Sequence, residues 1–495
     1  MSLMANGAPP SSSPREKDLK QKGVRGGIVT MGAQAVTIIT KLAATVVLAR
    51  LLPAEDFGII AMILAITGFI ALFRDMGLSA ASIYRNDLSH AQINGLFWLN
   101  AGTGLILTGI VAAAAPVVAW FYERPELTQV TLALSSTFVV SSLGAQHAAL
   151  MQRDLKFKPK ALADVAGAII NFLAAAILAL MGYRYWSLAW GIILGALTTT
   201  LLYFLFSSFR PSLPRKVEGL RQVIGFGANV TLYECINYVH RNMDNVLIGK
   251  VWGASSLGLY SRAYQIMMLP INSLRTPLNS VAFPVLSKLR DDPPSYKQYY
   301  CRITAILGFV SIPLMAFLTA NASTVVTVAL GARWGEVSPI FSWLGLAGLV
   351  QPVASLSGIV LLSTGRTRIY ILWGLLNTLV TTTGFAVGVQ WGAVGVAAAY
   401  AISNYLVLYP SLLLAFRGTT IRPKNFFGAV LRPAVASGCA VLIMAAVPSL
   451  PIPDVAALAA SAGLFFCLYL IIFPLLPGGR AELLSYLRLA ESLRG

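Results

Sequence analysis

The chain has 495 residues, of which 57% are apolar and only 11% charged, against about 25% charged in an ordinary soluble domain. That composition, with a mean hydropathy of +0.72, excludes a soluble globule. Lys and Arg (37) exceed Asp and Glu (19), giving a formal charge of +18; because the basic residues collect in alternate short loops between apolar runs, the excess records membrane topology rather than nucleic-acid binding.

The first stretch, 1–25, is Pro/Ser-rich and then charged, and reads as a disordered cytoplasmic tail without the apolar core of a cleavable signal. About 14 apolar runs follow, at 26–49, 58–82, 93–119, 128–150, 161–182, 186–206, 223–249, 257–284, 303–329, 339–362, 369–388, 394–416, 430–448 and 455–476. Each is long enough to cross ~30 Å of hydrocarbon. Basic residues cluster before the first span and after the fourth, sixth, eighth, tenth and twelfth, whereas the intervening loops carry one at most (Arg50, Arg124, Arg184, Lys250, Arg333). The positive-inside rule then places both termini in the cytoplasm, which requires an even number of spans. The longest loop, about 287–302, leaves no room for a folded catalytic domain, and no phosphate-binding Gly-x-x-x-x-Gly-Lys-Ser/Thr loop occurs. The final stretch puts Leu483, Tyr486, Leu487 and Leu493 on one helical face, predicting an amphipathic helix at the inner surface. Cys235, Cys301, Cys439 and Cys467 show no pairing or metal-ligand spacing and read as small packing residues.

Shifting the chain by 200 residues reveals an internal repeat. Lys41 meets Arg241, Arg50 meets Lys250, Ala54 meets Ala254 and Gly58 meets Gly258. Six spans separate the copies, so both enter the membrane with one orientation and the repeat axis is expected along the membrane normal. The fold class is therefore an all-α integral membrane protein of about 14 transmembrane helices. It has two pseudo-symmetric six-helix lobes, 26–206 and 223–416, around a central cationic cavity, two peripheral helices over 430–476, and a cytoplasmic amphipathic tail over 477–495.

Polar stripes identify the cavity walls. Gln34, Thr37 and Lys41 share one face of the first span, and Glu234, Asn237, Arg241 and Asn245 repeat that face in the seventh. The eighth span adds Arg262, Gln265, Asn272, Arg275 and Asn279, and carries Pro270, Pro277 and Pro284, which predict a bend. A charge at the bilayer centre costs about 2.5–3.5 kcal/mol on insertion scales, so these faces are expected to meet water rather than lipid. Lys41, Arg241, Arg262 and Arg275 outnumber Glu234 and Asp244, which suits an anionic cargo such as a phosphate headgroup. The competing reading has each arginine neutralised structurally, Arg241 by Asp244 at i+3. Arg74 and Asp75 read as a snorkelling or local ion pair near the cytoplasmic interface.

The runs Ala49-Arg50-Leu51-Leu52-Pro53-Ala54-Glu55-Asp56-Phe57-Gly58, Phe73-Arg74-Asp75-Met76-Gly77-Leu78-Ser79-Ala80-Ala81 and Gln152-Arg153-Asp154-Leu155-Lys156-Phe157 resemble the Wzx-type polysaccharide flippases of the MOP superfamily. The second half agrees at Arg241-Asn242-Met243-Asp244-Asn245, at Leu257-Gly258-Leu259-Tyr260-Ser261-Arg262-Ala263-Tyr264 and at Gly331-Ala332-Arg333-Trp334. The resemblance implies a bacterial inner-membrane carrier, not an enzyme, that moves an undecaprenyl-diphosphate-linked oligosaccharide outward by alternating access for O-antigen or exopolysaccharide synthesis. Its expected partners are that glycan lipid, membrane lipid and polysaccharide polymerase or assembly proteins, with no cofactor. Some relatives couple to Na+ or H+; Asp244 and Asn377 could serve here, although position 381 is Thr rather than acidic. Alternatives are a multidrug/cation antiporter, which favours an acidic cavity, a lipid II flippase, and a glycan polymerase or ligase, which expects a large outer loop.

Overall fold

The computed structural model describes residues 14–74, 82, 89–213, 220–447 and 453–492; within these, the side chains of 14–26, 28, 220–237, 240, 489, 490 and 492 lie outside the described set. Hydrocarbon offers no partner to a backbone N–H or C=O, so an apolar run must satisfy its own amides, and a helix does so within one segment. The helices are α1 (Pro14–Leu51), α2 (Ala54–Ala71), α3 (His90–Tyr122), α4 (Glu126–Arg153), α5 (Phe157–Leu180), α6 (Tyr185–Phe206), α7 (Leu220–Lys288) and α8 (Pro293–Ala320). After them come α9 (Ala322–Leu330), α10 (Val337–Ser363), α11 (Thr367–Gly388), α12 (Gly392–Phe416), α13 (Pro423–Ala445), α14 (Asp454–Leu475) and α15 (Gly479–Ser492).

Among the described residues, eleven helical stretches are long and apolar enough to cross a membrane, one of them, Thr367–Phe416, holding both α11 and α12. The two arms of α7, kept out of that set by their polar stripes, complete the fourteen predicted spans. The protein is a multi-pass membrane protein.

Three local expectations change. Helix α1 begins at Pro14, so residues 14–25, expected to be disordered, are helical; Pro suits a first helical position, where its missing N–H has no partner to lose. The expected 287–302 loop is mostly helix. Asp292 accepts from Ser295 N at 3.2 Å and Pro293 opens α8, leaving a turn of a few residues. The expected ninth span, 303–329, stops at Asn321, whose side-chain amide donates back to Phe317 O at 2.9 Å before the short α9 begins. The expected turn between the seventh and eighth spans is a single break in α7 at Gly253, whose φ of 78° glycine adopts readily, and the three prolines of the eighth span lie within its second arm.

Two compact units emerge, one of Met1–Leu51 with Ile70–Leu232, the other of Leu52–Phe69 with Tyr233–Gly495. Most of α2 therefore packs with the second half of the chain. Each unit uses the same internal pairing. In the first, α3 packs on α4, α5 on α6 and α4 on α6; in the second, α8 packs on α10, α11 on α12 and α10 on α12. The internal repeat thus reaches the packing within each unit. Small residues make the close pairs: a Cβ on Gly195 would lie 2.9 Å from Gly167 O in α5, and one on Gly388 2.5 Å from Gly395 O in α12.

Helices α13 and α14 pack through one face, where Ala436, Ala440, Phe465, Tyr469 and Phe473 form a cluster with Phe317 of α8, while Leu442, Leu470 and Ile471 stay exposed. Helix α15 docks on this cluster through Leu483, through a 2.6 Å ion pair between Arg432 and Glu482, and through the Tyr486 ring, 5.1 Å from that of Phe309. Half-exposed pairs contribute about 1 kcal/mol or less. Arg432→Ala should accordingly raise protease sensitivity after Leu475 severalfold while leaving protein abundance unchanged; an unaltered digestion rate would assign the docking to Leu483 and Tyr486 alone.

Candidate functional site

In the second unit, α2 and the second arm of α7 cross at their first turns. A Cβ built on Gly58 would stand 1.7 Å from Ala254 O, and one on Gly258 1.8 Å from Ala54 O, so the matched Ala-x-x-x-Gly pairs seat reciprocally. Arg333 Nη2 donates to Leu52 O at 2.8 Å, and the Trp334 ring lies 5.7 Å from Phe57. Arg262 joins this cluster: its guanidinium sits 4.3 Å over the Phe57 ring, and its buried Nε has no hydrogen-bond partner. Cation–π contacts of this kind contribute about 0.5–2 kcal/mol. Arg262, expected among the cavity cations, is thus held against the α2 turn.

The other two arginines expected among the cavity cations, Arg241 and Arg275, lie elsewhere on α7, one on each arm. Arg241 and Arg275 lie close enough to interact electrostatically with each other and with the hydroxyls of Tyr264 and Tyr400. Those two tyrosines lie with their rings 6.1 Å apart, and Gln351 Nε2 donates to Tyr400 Oη. Arg275 Nη2 donates to Asn272 Oδ1 at 3.1 Å. The structural ion pair does not form. Asp244 is buried at 2% exposure, with Oδ2 accepting from Tyr260 Oη at 2.8 Å and Oδ1 from Asn245 N at 2.7 Å. Arg241 is exposed and has no ion-pair partner among the described residues. Two neighbouring guanidinium groups repel each other unless an anion sits with them, so this arrangement is suited to receive one.

The other predicted residues divide. In the first unit, Lys41 and Gln34 are exposed on α1, Thr37 donates to Ala33 O at 2.9 Å, and Thr45 donates to Lys41 O at 2.8 Å. The side chains of Glu234 and Asn237 lie outside the described residues. Gln265 is partly buried on the second arm of α7, where Asn279 Oδ1 is buried without a hydrogen-bond partner. Asn377 Oδ1 accepts from Thr381 at 3.5 Å, a pair separate from the bonds Asp244 makes. No cluster of three His, Cys, Asp or Glu that could hold a metal occurs among the described residues.

Sequence reasoning missed three features. Tyr264, Tyr400 and Gln351 carried no signal, because a tyrosine in an apolar run reads as core. Arg74, expected to snorkel, lines a cavity of about 500 Å³ in the first unit with Gln152, Thr199 and Tyr203 over a floor of small residues including Ala145, Ala148 and Ala196. Beside it, Tyr203 bonds Asp164, which also pairs with Lys160 at 3.0 Å. Asp75 lies outside the described residues.

Eleven strongly apolar helical stretches among the described residues, with the same helix pairing in each unit, define a multi-pass helical membrane protein. Among solved structures, the chain is similar to the lipid II flippase MurJ in an inward closed conformation, with a TM-score of 0.75 and 14% identity over 90% of this chain and 98% of that one. It is also similar to an inward-facing multidrug resistance MATE family transporter of the MOP superfamily, with a TM-score of 0.61 and 14% identity over 82% and 98%. At such identity the likeness is one of fold. The chain belongs to the family described as Polysaccharide biosynthesis protein, whose model matches residues 47–339, more than half its length. Its relatives include the lipopolysaccharide biosynthesis protein WzxC of Escherichia coli, 26% identical over 82% of this chain and 83% of that protein. The teichuronic acid biosynthesis protein TuaB of Bacillus subtilis is 28% identical over 69% and 72%.

Proposed function

We propose that this protein is a flippase that carries an undecaprenyl-diphosphate-linked oligosaccharide across the bacterial inner membrane by alternating access, both termini in the cytoplasm, supplying surface polysaccharide synthesis. The observation that carries the reading is that Arg241 and Arg275, two guanidinium groups without a carboxylate partner among the described residues, lie within electrostatic reach of each other and of the partly buried Tyr264–Tyr400–Gln351 cluster. A diphosphate brings about two negative charges and planar sets of acceptor oxygens, which a guanidinium fork binds in bidentate fashion. Family membership and the names of the relatives support a polysaccharide cargo. Lys41 and Arg262 are assigned secondary roles, the first as a cation on the first unit and the second as a support for the α2 turn. Partner proteins would be the polymerase and assembly machinery.

The MATE-like fold favours a second reading, drug/cation antiport. Deleting the gene separates the two: flippase function predicts loss of surface polysaccharide with accumulation of lipid-linked repeat units and unchanged drug susceptibility. Normal polysaccharide with a severalfold fall in inhibitory drug concentrations would establish antiport instead.

A further inference from the structure

Three turns at one end of the second unit enclose a cavity of about 470 Å³, within the size range of ordinary small-molecule sites. They are the α7–α8 turn with Arg290, the α10–α11 turn with Thr364 and Arg366, and the α12–α13 turn with Thr419 and Thr420. The walls are tied together. Arg366 Nε donates to Thr364 Oγ1 at 2.9 Å, its Nη2 to Ala415 O at 2.6 Å, and its Nη1 to Arg417 O. Thr420 Oγ1 donates to Pro293 O at 3.0 Å, joining the first turn to the third. Glycines at φ 74° in both Gly365 and Gly418 let the chain reverse here without side chains filling the space.

Arg366 is therefore a fixed guanidinium that has used three of its five N–H donors. Arg290 reaches in from the opposite turn, its Nη1 3.6 Å from where a Gly365 Cβ would stand, and it is exposed with no ion-pair partner among the described residues. The carboxylates on that turn are Asp291 and Asp292, and Asp292 is engaged in capping α8 through Ser295 N. The same three turns and the helix ends that flank them also carry Lys288, Arg368, Arg417, Arg422 and Lys424. The turns cap apolar spans, so the cavity lies at headgroup depth, and its basic side is the one the positive-inside pattern assigns to the cytoplasm. Basic pockets between transmembrane helices on that side suit anionic lipid headgroups.

We propose that this pocket binds the phosphate of an anionic membrane lipid, held between the exposed Arg290 and the fixed Arg366 with the Thr364, Thr419 and Thr420 hydroxyls beside them. The site is separate from the Arg241–Arg275 pair, and it ties three cytoplasmic turns of the second unit to the surrounding leaflet whatever cargo the protein carries.

Native mass spectrometry of the full-length protein in detergent tests this by titration with phosphatidylglycerol and, separately, phosphatidylcholine of the same chains. The expected result is about tenfold tighter retention of phosphatidylglycerol, the scale of a charge-assisted contact. Arg290→Glu should abolish the preference, Arg290→Lys should keep part of it, and Lys158→Glu, an exposed basic residue of the other unit, should leave it intact. Equal retention of the two lipids, an undiminished preference in Arg290→Glu, or an equal loss in Lys158→Glu overturns the proposal. Thermal stabilisation by inorganic phosphate without any lipid preference would assign the pocket to a soluble anion and overturn the lipid assignment. None of these readouts involves glycan export, so failure here leaves the flippase reading standing.

Discussion

Replacing both Arg241 and Arg275 by alanine should abolish surface polysaccharide in cells that contain the protein at normal abundance. A charge-assisted hydrogen bond contributes about 1.5–3 kcal/mol, which is roughly a 10- to 150-fold loss of cargo affinity for each arginine. Normal abundance is expected because neither side chain neutralises a buried carboxylate. Asp244 is already satisfied by Tyr260 and by the Asn245 amide, so removing Arg241 leaves no uncompensated buried charge. Arg→Lys at both positions should restore export in part, since the charge remains and the planar fork does not. Quantifying surface glycan against membrane-fraction protein decides the matter. Full export by the double alanine variant would remove these arginines from cargo binding.

Gly58→Val should have the largest effect on folding of any single substitution here, and Gly258→Val the same effect through the reciprocal contact. A Cβ at either position would overlap a carbonyl oxygen at under 2 Å, at Ala254 and Ala54 respectively. Neither partner can turn away, because both obstructing atoms are backbone. Overpacking a tight contact costs about 1–3 kcal/mol, and more where backbone must move, so membrane-inserted protein should fall several-fold or more and the melting temperature should drop. Gly109→Val, at a glycine with open space around it, is the control expected to be silent. Wild-type abundance and melting in Gly58→Val would mean that α2 does not cross the second arm of α7 at this turn.

These two predictions differ in how far the sequence alone could carry them. Ala54, Gly58, Ala254 and Gly258 were visible as a repeat at a fixed offset, but an offset says which positions are equivalent, not that they touch. Arg241 and Arg275 were visible as cations at helical spacing on apolar spans, because a charge in hydrocarbon is costly enough to require a reason. Arg262 carried the same signal and proved to rest on Phe57, since periodicity cannot tell a cation that faces an aqueous cavity from one that stacks on a ring. The turn between the seventh and eighth spans was legible as a boundary between apolar runs, but only the structure shows that it is made by a single glycine, Gly253, at positive φ.

By itself the sequence determined the membrane class, the fourteen spans, the internal repeat and the basic character of alternate loops. Each follows from a local quantity summed along the chain: apolar length against bilayer thickness, helical period, charge count. Only the tertiary structure decided which charges are spent on packing and which are left to bind. Asp244 turned to Tyr260 rather than Arg241, Arg366 became a brace between turns, and Arg74 came to line a cavity. The physical reason is that a side chain's partner is set by what distant segments bring within about 3 Å of it, and hydrogen bonding and ion pairing fall off over that distance.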